Sequence, residues 1–179
     1  MNTNEMPAGD RTDSWVKRMV VAVDSSPASL EGLRIAIDAA RRAGARVTVV
    51  HVRHAPASGA MVPALEWDAV QQTLDTLEAE SRAATERAMS GTGVEWEFRT
   101  VAGSPGEEIV KVAREVGADM VVVGSSGHSS LHNLLLGSTS AYLASHSPTA
   151  VLVARPSSPR GPDGLSKAEE PEAVGGASR

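Results

Sequence analysis

The chain has 179 residues, 41% of them hydrophobic and 22% charged, with a formal net charge of −5. That is the composition of one globular domain with some spare length, and the acidic balance argues against a general nucleic-acid or membrane-surface binder. There is no cysteine, which excludes disulfides, thiolate catalysis and cysteine-ligated metal.

Residues 1–16 are polar and aperiodic, with no apolar core of a secretory signal. They read as a disordered tail, and a cytoplasmic protein is expected. No apolar run reaches the ~18 residues of a membrane span. The run MVVAV at 19–23 is short, apolar and β-branched, the pattern of a buried strand. A helix follows, with Ser26 as cap, Pro27 in the first position and Gly44 at the stop. Leu30, Leu33, Ile37 and Ala40 recur in it at helical spacing. RVTVVHV at 46–52 is a second strand. After a Pro- and Gly-containing loop, a long helical pattern covers 65–90. Val70, Leu74 and Leu77 supply its apolar stripe, and Gly91 ends it.

VEWEFRTV at 94–101 alternates. Val94, Trp96 and Phe98 face one way and Glu95, Glu97 and Arg99 the other, as in a half-exposed edge strand. Ser104, Pro105 and Glu107 open the next helix as a capping box, and Gly117 closes it. MVVV at 120–123 is apolar without alternation, which places it centrally. Helical signal returns at 138–145, and AVLVA at 150–154 is the last strand. From Arg155 onward Pro, Gly, Ser and charge dominate, so 156–179 is expected to be disordered. Strands alternating with helices give a parallel sheet covered on both faces.

In such sheets ligands bind beyond the carboxyl ends of the strands, where strand order reverses. With order 3-2-1-4-5, Asp24 after the first strand and Gly124 after the fourth share that crevice. The turn after the first strand, VDSSPAS, lacks the G-x-G-x-x-G of a dinucleotide site, and no Lys between Gly124 and Thr139 completes a Walker A loop. A phospho-acceptor receiver domain would carry an acidic group after the third strand, where VAGSP stands. Instead, Gly124, Gly127, Gly137 and Ser138 give G-x2-G-x9-G-S. Gly124 and Gly127 allow positive φ and close backbone approach to an anion. Gly137 and Ser138 stand where the last helix begins, and its free N–H groups and dipole favour phosphate. The Ser138 and Thr139 hydroxyls add donors. The loop has no strong cation, so a bound triphosphate calls for Mg²⁺. The pairs His128/His132 and His51/His54 lack a third ligand for metal. No serine sits in a G-x-S-x-G elbow, against a hydrolase triad.

The segments VVAVDSSPAS, VTVVHV, GSPGEEIV and VVVGSSGHSSLHNLLLGSTSAYLASHSPTAVLVAR, in this order, resemble the universal stress protein family, specifically its ATP-binding branch. The resemblance covers 17–155. It implies a three-layer α/β/α sandwich with a five-stranded parallel sheet, order 3-2-1-4-5, dimeric through the last strand. It implies that Asp24 and Val52 help hold the adenosine part of ATP. It implies phosphate and ribose contacts from Gly124, Ser125, Gly127, Gly137, Ser138 and Thr139, with Gly103 in a turn lining the same pocket. The expected function is a nucleotide-responsive regulator of the stress response. The alternatives are a slow ATPase or autophosphorylating enzyme, with Ser129, Ser130 and Thr139 as acceptors, and a dimeric scaffold that has lost the nucleotide. Ser126 and His128, where many members carry basic residues, motivate the last.

Overall fold

The computed structural model describes residues 14–54, 64–125 and 137–156. Within them the strands are β1 (Arg18–Ala22), β2 (Arg46–Arg53), β3 (Trp96–Ala102), β4 (Met120–Gly124) and β5 (Ala150–Ala154). The helices are α1 (Pro27–Ala43), α2 (Ala64–Met89), α3 (Pro105–Glu115) and α4 (Ser138–His146). All pairings are parallel, and the sheet order is β3-β2-β1-β4-β5, as expected from the sequence.

The two-residue period of the strands sorts their side chains into two cores. Met19 and Val21 of β1, Val47 and Val49 of β2, and Val122 of β4 pack with Leu33, Ala36, Ile37 and Ala40 of α1 and Met89 of α2. Val20, Val50, Val121 and Val123 pack on the other face with Ile109, Val110, Val112 and Ala113 of α3 and Leu143 of α4. The aromatic-poor composition is sufficient because the interiors of β1, β2 and β4 are valine-rich and buried. Val16, assigned to the tail from sequence, is buried in the first core. β3 is an edge strand, and its Trp96 and Phe98 turn towards the first core as their alternation requires.

Local signals account for the start and stop of α1. The Ser26 hydroxyl accepts from the Ser29 N–H at 3.3 Å, Pro27 sits in the first turn, and Gly44 ends the helix at φ +63°. Two expectations need correction. Ser104 occupies the N-cap of α3, but its side chain makes no capping bond, and Glu107 is exposed, so the capping box does not form. In α2 the residues Val70, Leu74 and Leu77 are only half-buried. The fully buried positions lie further along: Ser81, Thr85 and Met89. Small hydroxyl residues there keep their polar atoms satisfied. Ser81 Oγ meets Ser25 Oγ at 2.9 Å, and Thr85 Oγ1 donates to the Ser81 carbonyl at 2.8 Å. An apolar-stripe reading misses such positions because their burial depends on partners outside the helix.

Arg53, at the end of β2, ties α2 to the sheet. It reaches Asp75 at 2.7 Å and Glu78 at 2.9 Å. Glu78 also accepts from Thr100 of β3 at 2.7 Å. At the opposite end of the sheet, the Asp119 carboxylate accepts from the N–H groups of Lys17 and Arg18 at 2.7 and 2.9 Å. These bonds, that of Lys17 first, hold the Asp119 pKa below its ordinary value.

Candidate functional site

Strand order reverses between β1 and β4, because α3 carries the chain from the β3 edge back across the sheet. No covalent connection bridges the carboxyl ends of these neighbours, so a crevice opens there. It holds a cavity of about 620 Å³, within the ~300–1,000 Å³ range of small-molecule sites. The ends of β1, β2 and β4 form its floor, and the starts of α3 and α4 with Leu77 of α2 form its walls.

Six residues expected at the site line this cavity: Asp24, Val52, Gly124, Gly137, Ser138 and Thr139. Gly103 and Ser125, expected at the site, are not among the residues that line it, and Gly103 is exposed. Ser125 is buried. Its N–H donates to the Ala154 carbonyl at 2.6 Å, and its own carbonyl accepts from Gly137 N–H at 2.7 Å. Ser125 therefore pins the start of α4 against the ends of β4 and β5. The Gly103 carbonyl accepts from His54 Nδ1 at 3.0 Å. Gly127 lies outside the described residues, as do Ser126, His128, Ser129, Ser130 and His132.

Gly124 has a different reason from the one its sequence context indicates. It is not among the positive-φ glycines. A Cβ placed on it would lie 2.8 Å from the Ser29 nitrogen and 2.9 Å from the Ala28 carbonyl carbon. Glycine is required here because the backbone of α1 crosses β4 at contact distance.

Asp24 has a structural part as well as a place at the crevice. It borders the cavity, and its Oδ1 accepts from the Ser26 N–H at 3.0 Å and the Ser26 hydroxyl at 2.6 Å. That turn delivers Ser26 to the N-cap of α1.

The start of α4 supplies the site's polarity. Its N-cap, Gly137, has no side chain to cap with, and no side-chain cap bond forms there. Ala141 N–H already closes on the Gly137 carbonyl, and Ser140 Oγ donates to the same oxygen at 2.9 Å. The Ser138 and Thr139 N–H groups have no partner among the described residues. Uncapped N–H groups at the positive end of a helix dipole attract an anion. Among the described residues no Lys or Arg lines the cavity. Its far end, at Val52 and Leu77, is apolar, with His54 beside it.

Sequence reasoning missed Leu77, Ser104, Gly106 and Tyr142 as lining residues. Tyr142 side-chain atoms lie 2.5–3.0 Å from where a Gly106 Cβ would be, and the ring stacks on His146 at 4.0 Å. The glycine of SPGEE thus makes room for an aromatic of α4, a pairing with no local signature. The two histidines near the end of β2 separate. His51 is buried, with Nδ1 3.1 Å from the Val23 carbonyl, and burial lowers its pKa despite that bond. His54 lies in the crevice.

Comparison with known proteins agrees with this geometry. The profile of the universal stress protein family matches residues 16–155. A universal stress protein of Methanocaldococcus jannaschii is 27% identical over 143 residues, covering 80% of this chain and 84% of the relative. The structure of a universal stress protein from Lactobacillus plantarum superposes with a TM-score of 0.69 at 24% identity, over 80% of this chain and all of that one. A universal stress protein solved in complex with cAMP is 30% identical, with a TM-score of 0.60 over 80% of this chain and all of its own. Among the described residues no helix is long and apolar enough to cross a membrane.

Proposed function

The chain belongs to the universal stress protein family, and from that premise we propose that its crevice binds an adenine nucleotide, ATP with Mg²⁺, as a regulatory module of the stress response. The observation that carries this is the uncapped start of α4 opening into a cavity whose other end is apolar. Phosphates take the Ser138 and Thr139 N–H groups and hydroxyls, and the nucleoside lies towards Val52 with Asp24 beside it. The complex of a 30% identical relative with cAMP supports the ligand class. Each hydrogen bond to a charged phosphate contributes roughly 1.5–3 kcal/mol, and a few of them reach micromolar affinity, about −8 kcal/mol.

Among the described residues the cavity lining supplies no Lys or Arg. Mg²⁺ entering with the phosphates offsets the charge of a triphosphate. Without a cationic side chain to stabilise phosphoryl transfer, the module binds and signals rather than turning over quickly. The nucleotide state is read through the surface of a homodimer formed along β5, in the cytoplasm.

Calorimetric titration of the full chain with Mg-ATP tests the reading. We expect micromolar binding, weakened about tenfold or more in Ser138→Ala/Thr139→Ala while the unfolding midpoint stays in place. Absence of binding by Mg-ATP and by cAMP at millimolar concentration would sink it.

A further inference from the structure

The crevice contains one side chain whose chemistry is set by a neighbour and which has no role above. His54 lies just past β2 and lines the cavity. Its Nδ1 is 3.0 Å from the Gly103 carbonyl oxygen. A carbonyl only accepts, so Nδ1 must carry the proton. In the neutral ring the other nitrogen, Nε2, is then a lone pair: an acceptor and not a donor.

The position of His54 decides which part of a nucleotide it meets. β2 is separated from β4 by β1, two strand spacings or about 10 Å. The polar start of α4 follows β4, so His54, an exposed side chain two residues past Val52, stands away from it, with Val52 and Leu77 among the apolar lining. That is the end suited to a flat, largely apolar base. Purines differ there in the polarity of the substituent on carbon 6. A 6-amino group presents N–H donors to Nε2. A 6-oxo group presents an acceptor, and a second acceptor opposite it leaves both unpaired.

We propose that His54 is a specificity-determining residue that selects 6-aminopurine over 6-oxopurine nucleotides, through an Nε2 acceptor fixed by the Gly103 carbonyl. This rests on the nucleotide reading of the crevice. It assigns the choice of base to a side chain rather than to the backbone of the β2 end. Selection of this kind is strong because the penalty falls on a mismatched polar group, not on a lost apolar contact.

The test compares Mg-ATP with Mg-ITP, which differ at carbon 6 and the adjoining ring nitrogen. Both are titrated into the full-length protein and into His54→Phe and His54→Gln. Wild type should prefer ATP by about tenfold or more. In His54→Phe the preference should fall towards unity, mainly through weaker ATP binding. In His54→Gln, whose amide both donates and accepts, ITP should gain relative to wild type. Thermal unfolding of each variant shows whether loss of the His54–Gly103 bond has altered the fold. If both nucleotides bind and the ratio is the same in all three proteins, His54 does not select the base, and the nucleotide reading stands. If wild type binds neither, the nucleotide reading falls and this proposal with it.

Discussion

Gly124 shows how one residue carries a packing constraint inside a binding motif. The spacing from Gly124 to Ser138 is the one expected of a phosphate loop, and Gly124 does border the cavity. Its missing side chain, however, makes room for the backbone of α1 at Ala28 and Ser29. Backbone atoms cannot swing aside as the tip of a long side chain can. A β-carbon there forces β4 and α1 apart, and overpacking of this kind costs roughly 1–3 kcal/mol. Gly124→Ala should therefore lower the denaturant midpoint of the protein without ligand. An unchanged midpoint would show that α1 yields freely. Loss of nucleotide binding in a Gly124 variant is consequently ambiguous. The Ser138 and Thr139 hydroxyls make the cleaner probe, because removing them leaves this crossing intact.

At the scale of elements, α2 depends on charge for its attachment to the sheet. Its inner face is half-buried near the crevice and carries Ser81 and Thr85 at fully buried positions. Glu78 bridges the gap, accepting from Thr100 of β3 and from Arg53 of β2. These bonds, that from Thr100 first, keep the Glu78 pKa below its ordinary 4.5. His51 lies under the same helix, with Glu78, Asp24 and Arg53 as its charged neighbours, and burial keeps its pKa below 6.5. Both depressions act in the same direction. Below pH ~6.5 the unfolded chain protonates His51 while the folded chain does not, so stability falls with acidification by up to ~1.4 kcal/mol per pH unit. The contribution of Glu78, full above its unfolded pKa of about 4.5, is lost as pH falls through its lower folded pKa. Urea unfolding from pH 7 down to about pH 2.5 should show two declining regions. His51→Gln should flatten the first and Glu78→Gln the second. A flat wild-type profile down to pH 5 would contradict the buried neutral state of His51. Little of this network is legible in the sequence. The strands, Ser26 as cap, Pro27 and Gly44 are local signals, and they sit where the residues indicate. Which face of α2 is buried, and that Ser104 lines a cavity without capping α3, depends on contacts between distant segments. The same is true of Tyr142 against Gly106, which periodicity does not encode.

At the scale of the whole molecule, the two sheet edges differ, and the difference favours β5 as the edge of the proposed dimer. β3 and β5 are the outer strands. β3 carries Glu97 and Arg99 in an ion pair at 2.8 Å. Charges on an edge strand oppose pairing with another chain. β5 reads AVLVA, with Ala150 exposed and Val151, Leu152 and Val153 only partly covered. Nothing on it blunts the edge: it has no charge, no proline and only five residues of small and apolar side chains. In the proposed dimer a second copy covers this edge, a two-fold axis letting each β5 pair with its equivalent. The start of α4 and the end of β5 are linked through Ser125, whose N–H holds the Ala154 carbonyl and whose carbonyl holds the Gly137 N–H. A ligand on the α4 N-terminus therefore presses on the hydrogen bonds at the end of the pairing strand. Sedimentation equilibrium should give a dimer for the full chain at micromolar concentration. Val151→Lys should shift it to monomer, and Arg99→Ala on the opposite edge should leave the mass unchanged. If ligand and edge are coupled through Ser125, Mg-ATP should also change the dimer dissociation constant. By linkage, Val151→Lys should then change the affinity for Mg-ATP by a matching factor. A monomeric wild type, or a Val151→Lys protein that remains dimeric, would place the interface elsewhere. Equal dimerisation with and without Mg-ATP would leave the crevice and the edge as independent devices on one sheet.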